Sequence, residues 1–400
     1  MKIGILREGK KTPDKRVPLT PNQCAVLLQE YPDVQWVVQK SSIRCFSDEE
    51  YAQVGIPLVE DLRDCDVLLG VKEVPKSDLI ADKTYFYFSH TIKEQPYNRA
   101  LLKKMIALNI SMVDYEVLTQ PNGKRLIGFG RYAGVVGCYN GFLAYGKRTR
   151  RYDLKAAHQC FNRKEMEHEM IKIDLPNIKI IVTGHGRVGN GALEIIHALN
   201  LKEVSKEAFI NQSFNEPVFV QLNTMDYNTR IDRAPSSKSD FYTNPNKYKS
   251  TFMQYARHAD IFIAGHFHAS DSPYLFTRED AKSADFKIRT IADISCDIDG
   301  PVASTIRPST IADPLYGYNP LTEQEDDFDK DHIITVMAVD NLPCELPKDA
   351  SEDFGNKMIK NILPALLGDD QYAVIDRATI CKNGELNRPY EYLSAYVNAD

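Results

Sequence analysis

Short apolar runs alternate with amphipathic stretches from the first residues onward. Lys2–Leu6, Val34–Gln39, Asp66–Lys72, Thr84–Phe88 and Ile110–Val113 have the length and composition of strands. Between them, apolar positions recurring at helical spacing predict helices near Pro21–Gln29, Asp48–Val54 and Gln95–Leu108. Alternation of this kind implies an α/β layer architecture. From Ala133 to Arg150 a mixed small and apolar stretch predicts a long helix crossing between domains, and the polar segment Lys164–Pro176 leads into the next strand. Further strands are expected at Lys202–Lys206, Val218–Leu222, Asp260–Ala264, Thr290–Ile294 and His332–Val339, with an amphipathic closing helix over Lys348–Leu366. The polar segment Thr224–Tyr255, rich in Asn, Asp, Ser and Tyr, predicts a surface excursion ending in a helix. No internal repeat or low-complexity tract interrupts the pattern.

One junction carries chemistry. The apolar run Ile180-Ile-Val-Thr183 leads directly into Gly184-x-Gly186-x-x-Gly189-x-Gly191, and then into Ala192–Asn200 with helical apolar spacing. Strand, glycine turn and helix form the context a dinucleotide fingerprint requires. The first glycines permit a tight turn and close backbone approach to a pyrophosphate, whose charge meets the helix N-terminus. Gly184, Gly186, Arg187, Val188 and Gly189 are therefore candidate cofactor contacts.

Composition narrows the partners. A chain of 400 residues exceeds what one hydrophobic core usually serves. Two domains are expected: 1–135 with 345–400 for substrate, and 136–344 for the dinucleotide. The formal net charge of −6 argues against nucleic acid or an anionic membrane as main partner. No apolar run approaches the roughly 18 residues of a membrane span. Met1–Leu6 is too short and too soon charged for a signal peptide. The 8 cysteines include no Cys-x-x-Cys pair, which suits reduced thiols in the cytoplasm.

Several ordered motifs resemble the alanine dehydrogenase and saccharopine dehydrogenase (lysine-forming) superfamily. They are Gly4-Ile-Leu-Arg-Glu8, Arg16-Val-Pro-Leu-Thr-Pro21, Val71-Lys-Glu-Val-Pro75, Phe88-Ser-His-Thr-Ile-Lys93, Asp114-Tyr-Glu116, Phe129-Gly-Arg-Tyr-Ala-Gly134, Ala292-Asp-Ile-Ser-Cys-Asp297 and Val339-Asp-Asn-Leu-Pro343. Lys83–Lys93, Ile291–Asp297 with Thr310–Pro314, and Ala338–Pro347 are most similar to the lysine-ketoglutarate reductase branch. The resemblance implies two Rossmann-like domains with mainly parallel sheets separated by a cleft. It also implies a pyridine-nucleotide oxidoreductase that condenses lysine with 2-oxoglutarate through an imine, or runs the reverse. Alanine dehydrogenase chemistry on pyruvate and ammonia, another opine-type amine, and a nucleotide-binding regulator without turnover are the alternatives. In animals and plants this branch is usually fused to a saccharopine-cleaving domain. A chain ending at Asp400 would need a separate consumer of that product, or would work in the opposite direction.

By that resemblance Lys72 and His90 are the acid–base pair. Each follows an apolar strand, and the carboxyl ends of parallel strands are where ligands gather. Imidazole titrates near neutral pH, and a lysine can exchange protons when burial or neighbouring cations lower its pKa. Arg16, closing the charge run Lys10–Arg16, is implied to clamp a substrate carboxylate through its fork of donors. Glu73, Lys93, Glu116 and Arg131 match positions that contact substrate. Asp297, Asp340 and Asn341 match positions near the nicotinamide and its ribose.

About 20 residues past the first glycine, an acid would hold the adenine ribose of NAD. Counting lands on Ser205-Lys206, whose hydroxyl and cation suit the 2′-phosphate of NADP; Glu203 or Glu207 would instead suit NAD. Gly265-His-Phe-His268 offers two histidines without a third ligand. Gly265 and His266 are read as cofactor contacts, and no metal is expected. Partners are an amino acid and a 2-oxo acid, and a homo-oligomer is compatible with the family.

Overall fold

The computed structural model describes residues 1–9, 14–269 and 271–399. Lys10–Pro13, the start of the charge run, lie outside the described residues. The chain divides into two compact units, Met1–Phe129 with Pro347–Asp400, and Gly130–Leu346. Each unit is Rossmann-like and built on its own eight-stranded, largely parallel sheet.

In the first unit β1 (Lys2–Ile5), β2 (Gln35–Gln39), β3 (Leu58–Val59), β4 (Val67–Leu69), β5 (Thr84–Tyr87) and β6 (Ser111–Asp114) lie in the spatial order β3-β2-β1-β4-β5-β6, all parallel. The strands of such a sheet are covered on both faces, so they read as apolar runs without alternation; all three residues of β4 are buried. Helices α1 (Pro21–Glu30), α2 (Asp48–Gln53) and α3 (Pro96–Ala107) connect them. Thr20 with Gln23, and Ser47 with Glu50, close capping boxes that start α1 and α2.

The second unit opens with α4 (Gly130–Thr149) and α5 (Arg163–Glu169), then β7 (Lys179–Thr183), α6 (Arg187–Ala198), β8 (Lys202–Glu203), α7 (Lys206–Asn211) and β9 (Val218–Leu222). The expected long helix is α4, which packs along α6 and over the sheet of this unit. A methyl group on Gly134 would overlap the Val188 carbonyl, so α4 and α6 approach closely only because that position is bare. The excursion folds as a two-stranded antiparallel sheet, β10 (Asn228–Arg230) with β11 (Tyr248–Ser250), enclosing α8 (Lys238–Thr243) and followed by α9 (Met253–Ala256). Then come β12 (Ile261–Ala264), α10 (Arg278–Lys282), β13 (Thr290–Asp293), β14 (Leu315–Asn319), β15 (Gln324–Asp326) and β16 (Ile334–Met337). The sheet order is β8-β9-β7-β12-β13-β16-β14-β15, with β14 and β15 antiparallel. Phe252, Phe262, Phe276 and Ile291 sit fully buried in one core cluster of this unit.

The chain then returns to the first unit through α11 (Pro347–Asn361), α12 (Leu363–Leu367) and α13 (Val374–Ala378). It ends in β17 (Thr379–Lys382), antiparallel to β6, and β18 (Glu385–Leu386). The single closing helix expected over Lys348–Leu366 is two helices, because Pro364 stands in the first turn of α12 and cannot continue α11. No helix among the described residues is long and apolar enough to cross a membrane.

Candidate functional site

In the first sheet the strand order reverses at β1, and open parallel sheets bind ligands at that reversal. The chain leaving β1 carries Glu8. Its carboxylate accepts the backbone N–H of Val71 (2.7 Å) and of Lys72 (2.9 Å), where the chain leaves β4. Packing around the group, with the Asp14 carboxylate nearby, pushes Glu8 up to about 7 against the pull of those two N–H donors and Arg16. Asp14 goes the other way. Burial favours its neutral form, but the Arg16 guanidinium holds it down to about 2, helped by the charge of Lys72. Glu8, Asp14, Arg16 and Lys72 thus form one charged group in electrostatic contact.

Arg16 is 3% exposed and lies 4.2 Å above the Phe129 ring. Its Nε and Nη2 donate to Asp14 at 2.9 and 2.5 Å. The edge that resemblance assigns to a substrate carboxylate is therefore held by Asp14 in this structure. Phe129 in turn stacks on Phe354 of α11 at 4.4 Å, within an aromatic cluster that includes Phe88 and Tyr115.

Pairing continues past the ends of β4 and β5, where Phe88 N–H donates to Val71 O at 3.0 Å. Lys72 and His90 follow those last paired residues. His90 adopts a left-handed backbone (φ +54°), which costs about 1 kcal/mol and marks a position held by its surroundings. Its Nδ1 lies 2.6 Å from Glu73 Oε1, a carboxylate that is 7% exposed. That contact orients the ring. One residue earlier, Ser89 donates to buried Asp114 through N–H (3.2 Å) and Oγ (2.5 Å). Burial raises Asp114 to about 6 against the Ser89 hydrogen bond. Glu116 stands 3.7 Å from Lys93 Nζ and 3.5 Å from Arg125, and its Oε2 is buried with no hydrogen-bond partner among the described residues. An inward carboxylate oxygen without a donor suits an ammonium ligand.

Arg131 is found in an ion pair between helices. It belongs to the second unit, on α4, and its Nε and Nη2 bind Glu194 of α6 at 2.6 and 2.9 Å. Arg163 shares that glutamate. The Arg131 guanidinium fastens two helices of its own unit.

In the second unit the glycine turn follows β7, where that sheet reverses. Gly184 has φ +92°, a conformation L side chains avoid. A methyl on Gly189 would overlap the Gly184 carbonyl, whereas one on Gly186 would meet nothing within 4 Å. Gly186 is the N-cap of the 12-residue α6, so the bare position leaves room for a phosphate at a helix N-terminus. A cavity of about 510 Å³ lies there, lined by Gly184–Val188, Gly265, His266, Ser295 and Asp297, among others. His266 is buried, with Nδ1 2.8 Å from Thr183 Oγ1, and burial with nearby His268 drives its pKa down to about 3. Its Nε2 has no hydrogen-bond partner among the described residues. The residues present fit a dinucleotide.

Ser205 and Lys206 lie elsewhere than the residue count implied. β8 is an edge strand, separated from β7 by β9. Ser205 caps α7 by accepting the Ala208 N–H, while Lys206 pairs with Asp226 just past β9. Asp340 and Asn341 follow β16, with Asp340 exposed. Asp293 ends β13, fully buried, bonded by Ser295 and by Thr305 (2.6 Å), and raised by burial to about 6. Glu8, Asp14, Asp114 and Asp293 were not singled out from the sequence. The signal was present for all but Asp14, since each of the other three acids ends or closely follows an apolar strand.

Residues 4–136 match the family described as alanine dehydrogenase/PNT, N-terminal domain. Over 98% of its length the chain is 28% identical to the α-aminoadipic semialdehyde synthase of Arabidopsis thaliana, covering 41% of that protein. It is also 28% identical to the mitochondrial enzyme of that name from Rattus norvegicus, covering 47%. The chain therefore spans less than half the length of these relatives. It is 24% identical to the saccharopine dehydrogenase (NAD(+), L-lysine-forming) of Emericella nidulans, with 90% of each covered. Among solved structures, an L-alanine dehydrogenase superposes with TM-score 0.64 at 15% identity, covering 99% of this chain and 100% of that one. A transhydrogenase from Sinorhizobium meliloti gives 0.57 at 12%, covering 97% and 99%. The sequence matches make the chain a homologue of saccharopine dehydrogenase and of part of the synthases; the structural matches concern the fold.

Proposed function

We propose that this chain is an NAD(P)-dependent amino-acid dehydrogenase that joins the side-chain amine of lysine to 2-oxoglutarate, or cleaves the product. The observation that carries this reading is the convergence of Lys72, the His90–Glu73 pair and the Glu8–Asp14–Arg16 group on one sheet edge of the first unit. Similarity to saccharopine dehydrogenases along 90% of both chains supports the lysine-forming substrate pair.

Attack of the amine on the oxo carbon forms a carbinolamine. Loss of water then gives an imine, and reduction adds hydride to carbon and a proton to nitrogen. Gly184–Gly189 of the second unit would hold the pyrophosphate of a pyridine dinucleotide, which when bound would supply or accept that hydride. Lys72 and His90 move the protons, with Glu73 fixing the imidazole. Arg16, poised by Asp14, orients a carboxylate so that the reacting carbon is correctly presented, which is catalysis by positioning. Glu116 receives the amino group. The cofactor lean is toward NADP.

Oxidation of NADH and of NADPH is followed with 2-oxoglutarate plus lysine, and separately with pyruvate plus ammonium. Turnover with the first pair supports the proposal. Turnover confined to pyruvate and ammonium assigns alanine dehydrogenase chemistry instead, and no oxidation with either pair removes the dehydrogenase reading.

A further inference from the structure

The cavity at the glycine turn extends to three side chains that a pyrophosphate does not need: Thr224, Lys238 and Tyr242. Thr224 opens the excursion after β9, and Lys238 and Tyr242 lie on α8 within it. In a nucleotide-binding parallel sheet the adenosine ribose is read at the end of the strand neighbouring the glycine-turn strand. β7 lies between β12 and β9; the neighbour on the Thr224 side of the cavity is β9, and its end runs Leu222-Asn223-Thr224, with no acid to hold both ribose hydroxyls or to repel a phosphate.

The first acid after β9 is already committed. Asp226 gives one carboxylate oxygen to Lys206 Nζ and the other to the Asn223 N–H at 2.8 Å. Asn223 in turn accepts the Met225 N–H at 2.9 Å. What remains on this wall is two hydroxyls and an ammonium. Thr224 Oγ1 lies 3.5 Å from the Tyr242 hydroxyl, and Lys238 Nζ sits 6.0 Å from the centre of the Tyr242 ring. Two hydroxyls and a flexible cation match the needs of a phosphate monoester, which offers several acceptor oxygens and close to two negative charges.

Resting on the nucleotide-binding reading above, we propose that Thr224, Lys238 and Tyr242 form a subsite for the 2′-phosphate of NADP(H) and set the enzyme's coenzyme preference. Lys206, named by counting along the sequence, serves the subsite indirectly by neutralising Asp226.

The test is calorimetric titration of the full chain with 2′,5′-ADP, 3′,5′-ADP and ADP, which needs no substrate. The expected result is 2′,5′-ADP binding at least about tenfold more tightly than the other two. Lys238→Ala should bring the ratio to within about threefold, with Lys238→Arg keeping most of it. Lys238 is exposed, so its replacement does not threaten folding. Equal binding of 2′,5′-ADP and ADP, an unchanged ratio in Lys238→Ala, or equal gains from the 2′- and 3′-phosphates would each overturn the subsite alone. Failure of all three nucleotides to bind would overturn it together with the nucleotide reading.

Discussion

In the first sheet the strand at the reversal, β1, is followed by Leu6-Arg-Glu8-Gly9; in the second, β7 is followed by Gly184-His-Gly186-Arg-Val-Gly189. Both turns occupy the same topological place. The glycine turn presents open space at a helix N-terminus, which is what an anion needs. The other turn presents a carboxylate that itself consumes two N–H groups, Val71 and Lys72, and has Asp14 close by. A pyrophosphate would meet negative charge there. One architecture thus presents two different sets of groups at the same place, and the few residues after one strand decide which.

The strongest break in this comparison is Lys72→Met. It should lower kcat by about 10²- to 10⁴-fold while calorimetry still finds nucleotide binding at the other unit. Full turnover would remove Lys72 from proton transfer. Next come the glycines. Gly186→Val should cut nucleotide affinity at least about tenfold with little change in melting temperature, because its Cβ enters empty space. Gly189→Ala should instead destabilise the fold by about 1–3 kcal/mol, because its methyl strikes the Gly184 carbonyl. Reversal of those two signatures would show that the turn has been misread.

The sharpest symmetry between the units is a buried aspartate at each sheet edge, Asp114 and Asp293, both raised to about 6 from 3.8. Between about pH 4 and pH 6 the folded chain keeps a proton that the unfolded chain releases. Stability therefore falls as pH rises through that window, by at most about 3 kcal/mol per site. Asp114→Asn and Asp293→Asn should each flatten the fall in urea midpoint between pH 4 and pH 7. An unaltered slope in both variants would mean that neither group carries the linkage. Smallest is Arg131→Met. Loss of a half-exposed pair with Glu194 should cost less than about 1 kcal/mol and leave the amino-acid KM unchanged. A large rise in KM would return Arg131 to the substrate.

Periodicity located most elements, since parallel strands covered on both faces announce themselves as apolar runs. The apolar run Val218–Leu222 coincides with β9 residue for residue, and the runs at β1, β5 and β7 nearly do. What escaped was information about adjacency. Nothing local shows that Val218–Leu222, not Lys202–Glu203, lies beside β7, so counting from Gly184 reached Ser205 in place of Thr224. The β14–β15 hairpin was missed because Leu315–Asn319 is buried throughout and shows no alternation. Arg131 sits in a segment that resembles a substrate motif, but its helical position turns the guanidinium toward Glu194. The site acids Glu8 and Asp114 stood in motifs already recognised. Their protonation behaviour depends on burial, which a sequence does not print.

Strand β17 closes the edge of β6, yet 265 residues separate Asp114 from Thr379. At about 5–20 residues per second of synthesis, that edge waits roughly 13–50 seconds for its cover. Until then the first sheet leaves the ribosome with a row of unsatisfied backbone groups open to any passing strand. The second unit, contiguous in the chain, can finish in that interval. The first unit is therefore the portion most in need of chaperone attention during translation, and the later of the two to complete its sheet.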